Sequence, residues 1–115
     1  MSFEAEARHV DGLEVVDLHG EIMAGADDAL HAAYVDAVAG SKNPVLLNFA
    51  DVSYINSTGI ALIVGLLAEA RKSNRRVLAC GLSDHYKDIF EITRIADFVT
   101  ITDDEGSAAV ATAQG

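Results

Sequence analysis

The sequence predicts an α/β protein of one domain, with a mixed, largely parallel sheet of about five strands and about four helices. Short apolar runs alternate with amphipathic segments in the order β-β-α-β-α-β-α-β-α, and strands separated by helices imply right-handed crossovers between parallel neighbours. The 115 residues are half hydrophobic and 23% charged, which is typical of a globular domain. We therefore assign residues 1–115 to a single domain.

The chain opens with a predicted β-hairpin. Apolar and charged residues alternate from Phe3 to His9, which is the period-two pattern of a half-buried strand. Asp11-Gly12 is a tight-turn signal, and Leu13–Leu18 has the composition of a second strand. We expect the first strand to lie at an edge of the sheet and the helices to lie mostly on one side of it.

The first helix is predicted to begin at Ala26 or Asp27. Asp27 and Asp28 favour the positive N-terminal end of a helix, and Gly40 and Pro44 end it. Between these signals, apolar residues recur at the spacing of an amphipathic helix, at Leu30, Ala33, Tyr34, Ala37 and Val38.

The middle of the chain alternates buried strands with a long helix. Val45–Phe49 is a nearly continuous apolar run, as expected of a central strand covered on both faces. A polar stretch from Asp51 then leads into a second helix, which we expect to run from about Thr58 to Ser73. Val77–Cys80 indicates another buried strand, and a glycine ends it.

The C-terminal part predicts two more helices and a short strand. Ser83 is placed to cap a helix from Asp84 to about Thr93, and the apolar residues between Phe98 and Ile101 indicate the last strand. Thr102-Asp-Asp-Glu105 matches a capping box that would open the last helix. We expect the alanine-rich end, residues 107–115, to fray.

Charge and composition exclude several classes of function. Eight Lys+Arg against eighteen Asp+Glu leave a net charge of −10, which disfavours nucleic acids and anionic membranes as partners. Cys80 is the single cysteine, so no intrachain disulfide or thiolate zinc site is available. The longest apolar run, Gly59–Ala68, is too short to cross a bilayer, and the acidic N-terminus is unlike a signal peptide. We expect a cytoplasmic protein.

The sequence contains no motif that demands catalysis, a metal or a cofactor. It has no phosphate-binding glycine-rich loop and no nucleophile elbow around a serine. The acidic pairs at predicted helix starts are explained by the helix dipole. The four histidines lack the i, i+4 spacing of a zinc-binding helix, so we expect surface or structural roles for His9, His19, His31 and His85.

The segment Asp51–Ile60 is the most informative, because it places Asn56, Ser57 and Thr58 at the start of a helix. One interpretation is structural: Asn56 or Ser57 caps the helix, an interaction worth about 1 kcal/mol. The other is regulatory. Phosphorylation of a hydroxyl there would add about −1.5 to −2 charges, which a helix N-terminus tolerates and a protein interface does not.

A helical wheel of the second helix predicts an outward apolar pair. Leu62 and Leu66 project toward the polar side with Glu69 and Ser73, so they form either a docking surface or a contact with another helix. The wheel assigns the opposite stripe to the core, at Ile60, Ile63, Val64, Leu67 and Ala70.

At these residues the chain resembles the STAS-domain family, and specifically the bacterial anti-sigma factor antagonists. The resemblance covers nearly the whole chain, through Leu18–Ile22, Val45–Gly59, Val77–Ser83 and Ile89–Thr93. The family pattern at the switch is Asp-Ser-Ser/Thr-Gly, and its first serine, which the partner kinase phosphorylates, aligns with Ser57.

The resemblance implies the STAS fold and a binding protein, not an enzyme. Such a protein captures a kinase-type anti-sigma factor and frees a sigma factor. The anti-sigma factor serine kinase switches binding off by phosphorylating Ser57 with ATP, and a PP2C-type phosphatase restores it. Together with the wheel, this implies a partner-binding set of Gly20, Glu21, Asn56, Ser57, Thr58, Gly59, Leu62 and Leu66.

Two departures from the family pattern keep alternatives open. Asn56 stands where most switchable members carry aspartate, and Met23 and Ala24 stand where the family often has an aspartate. A constitutive binding module is therefore an alternative, as is a stand-alone STAS subunit of a lipid-transport ABC complex. The sequence also leaves the oligomeric state open.

Direct nucleotide binding is a weaker alternative. Only a few cations could contact phosphates, and most of them cluster at the end of the second helix, where cations complement the helix dipole. We therefore predict no phosphate site at Lys42, Arg71, Lys72, Arg75 and Arg76.

Overall fold

The computed structural model describes residues 2–10 and 12–113, in which five strands and four α-helices follow one another in the predicted order. Short 3₁₀ turns precede the first helix and follow the third. The bounds are β1 Phe3–Val10, β2 Leu13–Ile22, α1 Asp27–Val38, β3 Val45–Ile55, α2 Ser57–Lys72, β4 Val77–Cys80, α3 Asp84–Ile92, β5 Thr100–Ile101 and α4 Glu105–Ala113.

One mixed sheet with the strand order β1-β2-β3-β4-β5 carries the fold. β1 lies at the edge and pairs with β2 in antiparallel fashion, and all other pairs are parallel. The hairpin and the edge position of β1 are therefore confirmed. Asp11 of the predicted turn lies outside the described residues, whereas Gly12 has a left-handed φ of 78°, which suits a tight turn.

Helices cover both faces of the sheet, but unequally. α1, α2 and α3 pack on one face, against a core that includes Val16, Leu47 and Phe49. α4 covers part of the other face, where Ala108 packs with Leu13, Val15, Leu46, Leu78 and Cys80. Burial on both faces explains why β3 and β4 begin as continuous apolar runs.

β2 and β3 are both longer than the sequence predicted. The polar stretch from Asp51 is the second half of β3, which continues to Ile55 instead of leading directly into a helix. β2 likewise runs past Leu18, and its end pairs with β3, with Ile22 opposite Ile55. Polar side chains are tolerated there because this part of the sheet is not covered by α4, so they face solvent.

The helical wheel of α2 was wrong about Leu66 and Val64. Leu66 is 6% exposed and belongs to the core, whereas Val64 is 45% exposed. α1 lies beside α2 and supplies Leu30 next to Leu66, so the alternative of a covering helix is correct for Leu66. Leu62 is half-buried at the same contact.

The end of the chain also differs from prediction. The cap of α4 is Asp104, whose Oδ1 accepts a hydrogen bond from the backbone N–H of Ser107 at 2.7 Å. Thr102 does not cap the helix, since its N–H and hydroxyl both donate to the carbonyl of Ala79. Residues 107–113 belong to α4, and Ala108 is buried against the sheet. The fraying of this end stays a prediction. Residues 114–115 lie outside the described part.

None of the helices in the described residues is long and apolar enough to cross a bilayer.

Candidate phosphorylation and partner-binding site

Asn56 closes the turn between β3 and α2. Its Oδ1 accepts the backbone N–H of Gly59 at 2.8 Å, and its carbonyl accepts the N–H of Ile60 at 2.9 Å. Its own N–H donates to the carbonyl of Ile22, at 3.2 Å, and so ties the turn to the end of β2. Of the two caps that the sequence left open, Asn56 is therefore the cap.

Ser57 consequently has a hydroxyl that the fold does not use. It is the first residue of α2 and is exposed, as is Thr58 after it. Among the described residues, no hydrogen-bond partner approaches the Ser57 hydroxyl within bonding distance. A group attached to this oxygen would lie at the positive end of a 16-residue helix.

Gly59 allows the first turn of α2 to pack directly on the end of β2. A Cβ atom at this position would lie 2.8 Å from the carbonyl carbon of Ile22, and closer still to its oxygen. No side chain fits in that space, so the glycine is required by packing. Gly59 is buried and supports the site from beneath, without a surface for a partner.

The structure brings the end of β2 next to this turn, as the resemblance implied. Gly20 and Glu21 pair with Val52 and Tyr54 of β3, one step before the contact between Ile22 and Asn56. The site thus joins two segments more than 30 residues apart in the sequence. Leu62 lies one turn further along α2 and is half-buried, and Leu66 is in the core.

Tyr54 is an exposed aromatic residue that the sequence analysis did not select. Its side chain is 46% exposed, and the residue pairs with Glu21 at the edge of the site. The sequence feature that could have identified Tyr54 is its position within the polar segment Asp51–Ile60. Because the sequence analysis treats that segment as a polar stretch leading into a helix, it does not predict that alternate strand residues point outward there.

Tyr86 of α3 positions the end of β3. Its hydroxyl accepts the backbone N–H of Ile55 at 2.8 Å. The N–H needs this partner because β4 pairs with β3 only as far as Asn48, leaving the later part of β3 without a neighbouring strand on that side. Ser83 caps α3 as predicted, by accepting the N–H of Tyr86.

The open face of the sheet beside the site carries charged pairs. His19 lies between two carboxylates, with Nδ1 2.8 Å from Asp51 and Nε2 3.0 Å from Glu6. The hydrogen bond to Asp51 is the main reason that the pKa of His19 is raised. Arg8 donates to Asp17 and thereby lowers the pKa of that carboxyl. Two other histidines also pair with carboxylates: His9 with Glu14, and His31 with Glu69. Three of the four histidines are therefore paired in this way.

Two further observations concern metal ligands and the single cysteine. In the described part of the chain, no cluster of three or more histidine, cysteine or acidic side chains is arranged to hold a metal ion. Burial raises the pKa of the Cys80 thiol to about 11, so this thiol stays protonated at neutral pH and is a poor nucleophile.

Comparisons with known proteins agree on one family. The profile of the STAS domain matches residues 4–108. The chain is 31% identical over 111 residues to an anti-sigma-B factor antagonist of Listeria monocytogenes, covering 92% of both proteins.

Solved structures share the fold. A putative anti-sigma factor antagonist of Thermotoga maritima superposes with a TM-score of 0.81 at 17% identity, over 95% of this chain and 94% of that one. The antagonist SpoIIAA in its unphosphorylated form gives a TM-score of 0.71 at 20% identity, over 99% of both chains. SpoIIAA of Bacillus in its phosphorylated form gives 0.69 at 20% identity, over 96% and 99%.

Proposed function

The chain belongs to the STAS domain family, and on that premise we propose that it is an anti-sigma factor antagonist controlled by phosphorylation of Ser57. In its unphosphorylated form it binds a kinase-type anti-sigma factor, which releases a sigma factor. The same kinase, using ATP, phosphorylates Ser57 and ends the complex, and a PP2C-type phosphatase restores the binding form. The observation that carries this proposal is the exposed, unengaged hydroxyl of Ser57 at the start of α2.

The proposed binding surface follows the geometry of the site. Gly20 and Glu21 at the end of β2, together with the exposed Ser57 and Thr58, form its centre. Asn56 shapes the turn, and the half-buried Leu62 extends the surface along α2. Gly59 contributes through packing. Leu66, being buried, is withdrawn from the set. We add the exposed Tyr54, since aromatic residues are enriched at protein interfaces.

Phosphorylation at this position would change binding without unfolding the domain. Asn56 and not Ser57 forms the cap, so a phosphate on Ser57 breaks no hydrogen bond of the fold. The N–H groups and dipole of the first turn favour the added negative charge. In a closed interface, the same charge must lose its hydration, which costs several kcal/mol unless the partner supplies cations.

Asn56 in place of the usual aspartate is compatible with this proposal. Asparagine and aspartate cap helices about equally well, so the turn keeps its shape. The substitution removes one negative charge next to Ser57. We therefore expect its effect on the rate of phosphorylation and not on the fold.

The test is intact-mass analysis after incubation with ATP and candidate serine-kinase anti-sigma factors from the same genome. We expect one phosphate on the wild type and on Thr58→Ala, and none on Ser57→Ala. Thr58→Ala is the matched control, because it removes the adjacent exposed hydroxyl.

Each other outcome points elsewhere. A complex without phosphate transfer would mean a constitutive binding module, with Asn56 as the distinguishing residue. If neither complex nor phosphate is found, the proposal fails and the transport-subunit alternative gains support. A phosphate that persists on Ser57→Ala would assign the switch to another hydroxyl.

A further inference from the structure

Cations are concentrated at one end of this acidic molecule. Five of the eight Lys+Arg residues lie at the C-terminal end of α2, in the turn after it, or just after α3. The chain as a whole has a net charge of −10, so this end has the opposite sign to most of the surface. The five are Arg71, Lys72, Arg75, Arg76 and Arg94.

A groove lies beside two of these cations, Arg71 and Arg94, and we call it the α2 groove. It lies between the C-terminal half of α2 and the segment from Thr93 to Phe98, and it encloses about 250 Å³. Its lining is mainly apolar, with Val64, Leu67, Ile95 and Phe98. A wider cleft of about 570 Å³ adjoins it along Leu67 and Phe98, and this cleft is bordered by Arg75 and Arg76.

The apolar side chains of the α2 groove are accessible. Val64 is 45% exposed and Phe98 is 53% exposed. Isolated exposed apolar residues are common, but two that line one groove together form a patch that a partner can cover. About half of the surface of each residue is open to solvent.

The cations at this end of the molecule differ in how far they are already engaged. Arg75 donates to the carbonyls of Ser41 and Asn43, and Arg94 pairs with Asp97 at 2.8 Å. The Arg71 guanidinium instead lies over the Phe98 ring, 5.0 Å from its centre. Within the described residues, no carboxylate lies within ion-pair distance of Arg71, so its charge is available to a partner.

We propose that the α2 groove is a second docking site, which binds an acidic amphipathic segment of a partner protein. An apolar side chain of that segment would fill the space between Val64 and Phe98. A carboxylate beside it would pair with Arg71, whose planar guanidinium suits two parallel hydrogen bonds to a carboxylate. Charge complementarity identifies the occupant as acidic, and the apolar lining identifies it as amphipathic.

This site is separate from the Ser57 site. The two lie at opposite ends of α2, and 14 residues of helix separate Ser57 from Arg71, roughly 21 Å at 1.5 Å per residue. The groove reaches back along α2 to Val64, whereas Leu62 of the Ser57 surface lies on the side of α2 that faces α1, so the two surfaces share no side chain. Nucleic acids and anionic membranes fit the groove poorly, because their extended negative charge would meet the acidic remainder of the surface.

The test uses two synthetic helical peptides of about 14 residues, four turns long. Both carry leucines on one face, and the other face carries glutamates in the first peptide and lysines in the second. Binding is measured by fluorescence anisotropy, and the contact is located from amide shifts in ¹⁵N-labelled protein. We expect the glutamate peptide to bind at least tenfold more tightly and to shift amides of residues 64–71 and 93–98.

Substitutions in the protein distinguish a direct contact in the groove from an effect of the net charge of the protein. Arg71→Glu should weaken binding of the glutamate peptide about tenfold or more, which corresponds to about 1.4 kcal/mol. Lys42→Glu is the matched control: it makes the same charge change at an exposed residue outside the groove and should have less than a threefold effect. Val64→Glu, with thermal melting recorded in parallel, tests the apolar contact at a residue that is not in the core.

Several results would overturn the proposal. If Lys42→Glu and Arg71→Glu weaken binding of the glutamate peptide equally, binding depends on net charge alone. Shifts outside the groove, or no binding of the glutamate peptide, would exclude the site. A wild-type dimer that Arg71→Glu converts to a monomer would show that a second copy of the chain is the occupant. Binding of inorganic phosphate in competition with the peptide would identify a simple anion site.

Discussion

Asn56 and Ser57 divide two tasks between neighbouring residues. Asn56 completes the hydrogen bonds of the first turn of α2, and Ser57 keeps an exposed hydroxyl. A serine that also capped the helix would lose that hydrogen bond on modification. The division therefore allows the proposed switch to act on binding while the turn stays folded.

Substitutions at these two residues should separate their tasks. Asn56→Ala removes the cap and should lower the free energy of unfolding by about 1 kcal/mol, whereas Asn56→Asp should retain it. Ser57→Ala should change it by less than about 0.5 kcal/mol, because no hydrogen bond of the fold is lost. Urea denaturation of the three variants measures both effects. A larger loss for Ser57→Ala than for Asn56→Ala would contradict the assignment of the cap.

Two glycines of α2 should respond in opposite directions to alanine. Gly59→Ala places a methyl group against the Ile22 carbonyl and should destabilise the protein by 2 kcal/mol or more, about the size expected of overpacking. Gly65→Ala meets no atom within 4 Å and should stabilise the helix by about 0.5–1 kcal/mol. Thermal unfolding of the pair checks this, and similar shifts in Tm would be evidence against close packing at Gly59.

Helices and strands that are distant in the sequence contact one another at the Ser57 site. The end of β2 contacts the Asn56–Gly59 turn through the Ile22 carbonyl, and α3 holds the end of β3 through the Tyr86 hydroxyl. α1 covers Leu66, which a wheel of α2 alone had turned outward. Three elements thus determine the shape and the limits of a surface whose centre is a single turn.

Removal of one hydroxyl should loosen the end of β3. Tyr86→Phe leaves the N–H of Ile55 without its partner, and an unpaired, partly buried donor costs about 1–3 kcal/mol. We expect faster amide exchange at Ile55, with little change in the exchange of the β3 amides that pair with β4. Hydrogen exchange followed by NMR makes this measurement. Uniformly faster exchange along β3 would instead mean that Tyr86 acts through global stability.

At the scale of the whole molecule, charged pairs on the open face of the sheet determine how the stability of the protein changes with pH. The pKa of His19 is raised in the folded protein. Its contribution to the free energy of unfolding is therefore fully present below the pKa of the unfolded state, about 6.5, and is lost as the pH rises through the pKa of the folded state. Asp17 has a lowered pKa. The contribution of Asp17 to the free energy of unfolding is present above the pKa of the unfolded state, about 3.9, and is lost as the pH falls through the pKa of the folded state.

The histidine contribution can be isolated by substitution. The stability of the wild type should fall as the pH rises above about 6.5 and through the raised pKa of His19, and His19→Gln should reduce that loss. His85→Gln is the control, because His85 is exposed and lies within ion-pair distance of no described carboxylate. Tm measured across this range gives the result. An unchanged slope in His19→Gln would rule out its pairing with Asp51 as a source of stability.

The sequence by itself determined the order of the elements, the edge hairpin and the position of the candidate switch. These depend on local signals: apolar periodicity, glycine and proline breaks, and polar residues that cap a helix within three residues of themselves. Ser83 was identifiable as a cap because a cap bonds its own helix, and for the same reason the cap of α2 was limited to Asn56 or Ser57. The location of Ser57 at the start of α2 followed in the same way.

The tertiary structure alone decided which surfaces are buried and how far the strands extend. Val64 and Leu66 are both apolar residues of α2, but α1 packs beside Leu66 and buries it, whereas Val64 lies on another side of the helix and stays 45% exposed. The second half of β3 is polar, so its strand character depends on pairing with β2 and on solvent at the open face. Such contacts join residues far apart in the chain, and no local pattern records them.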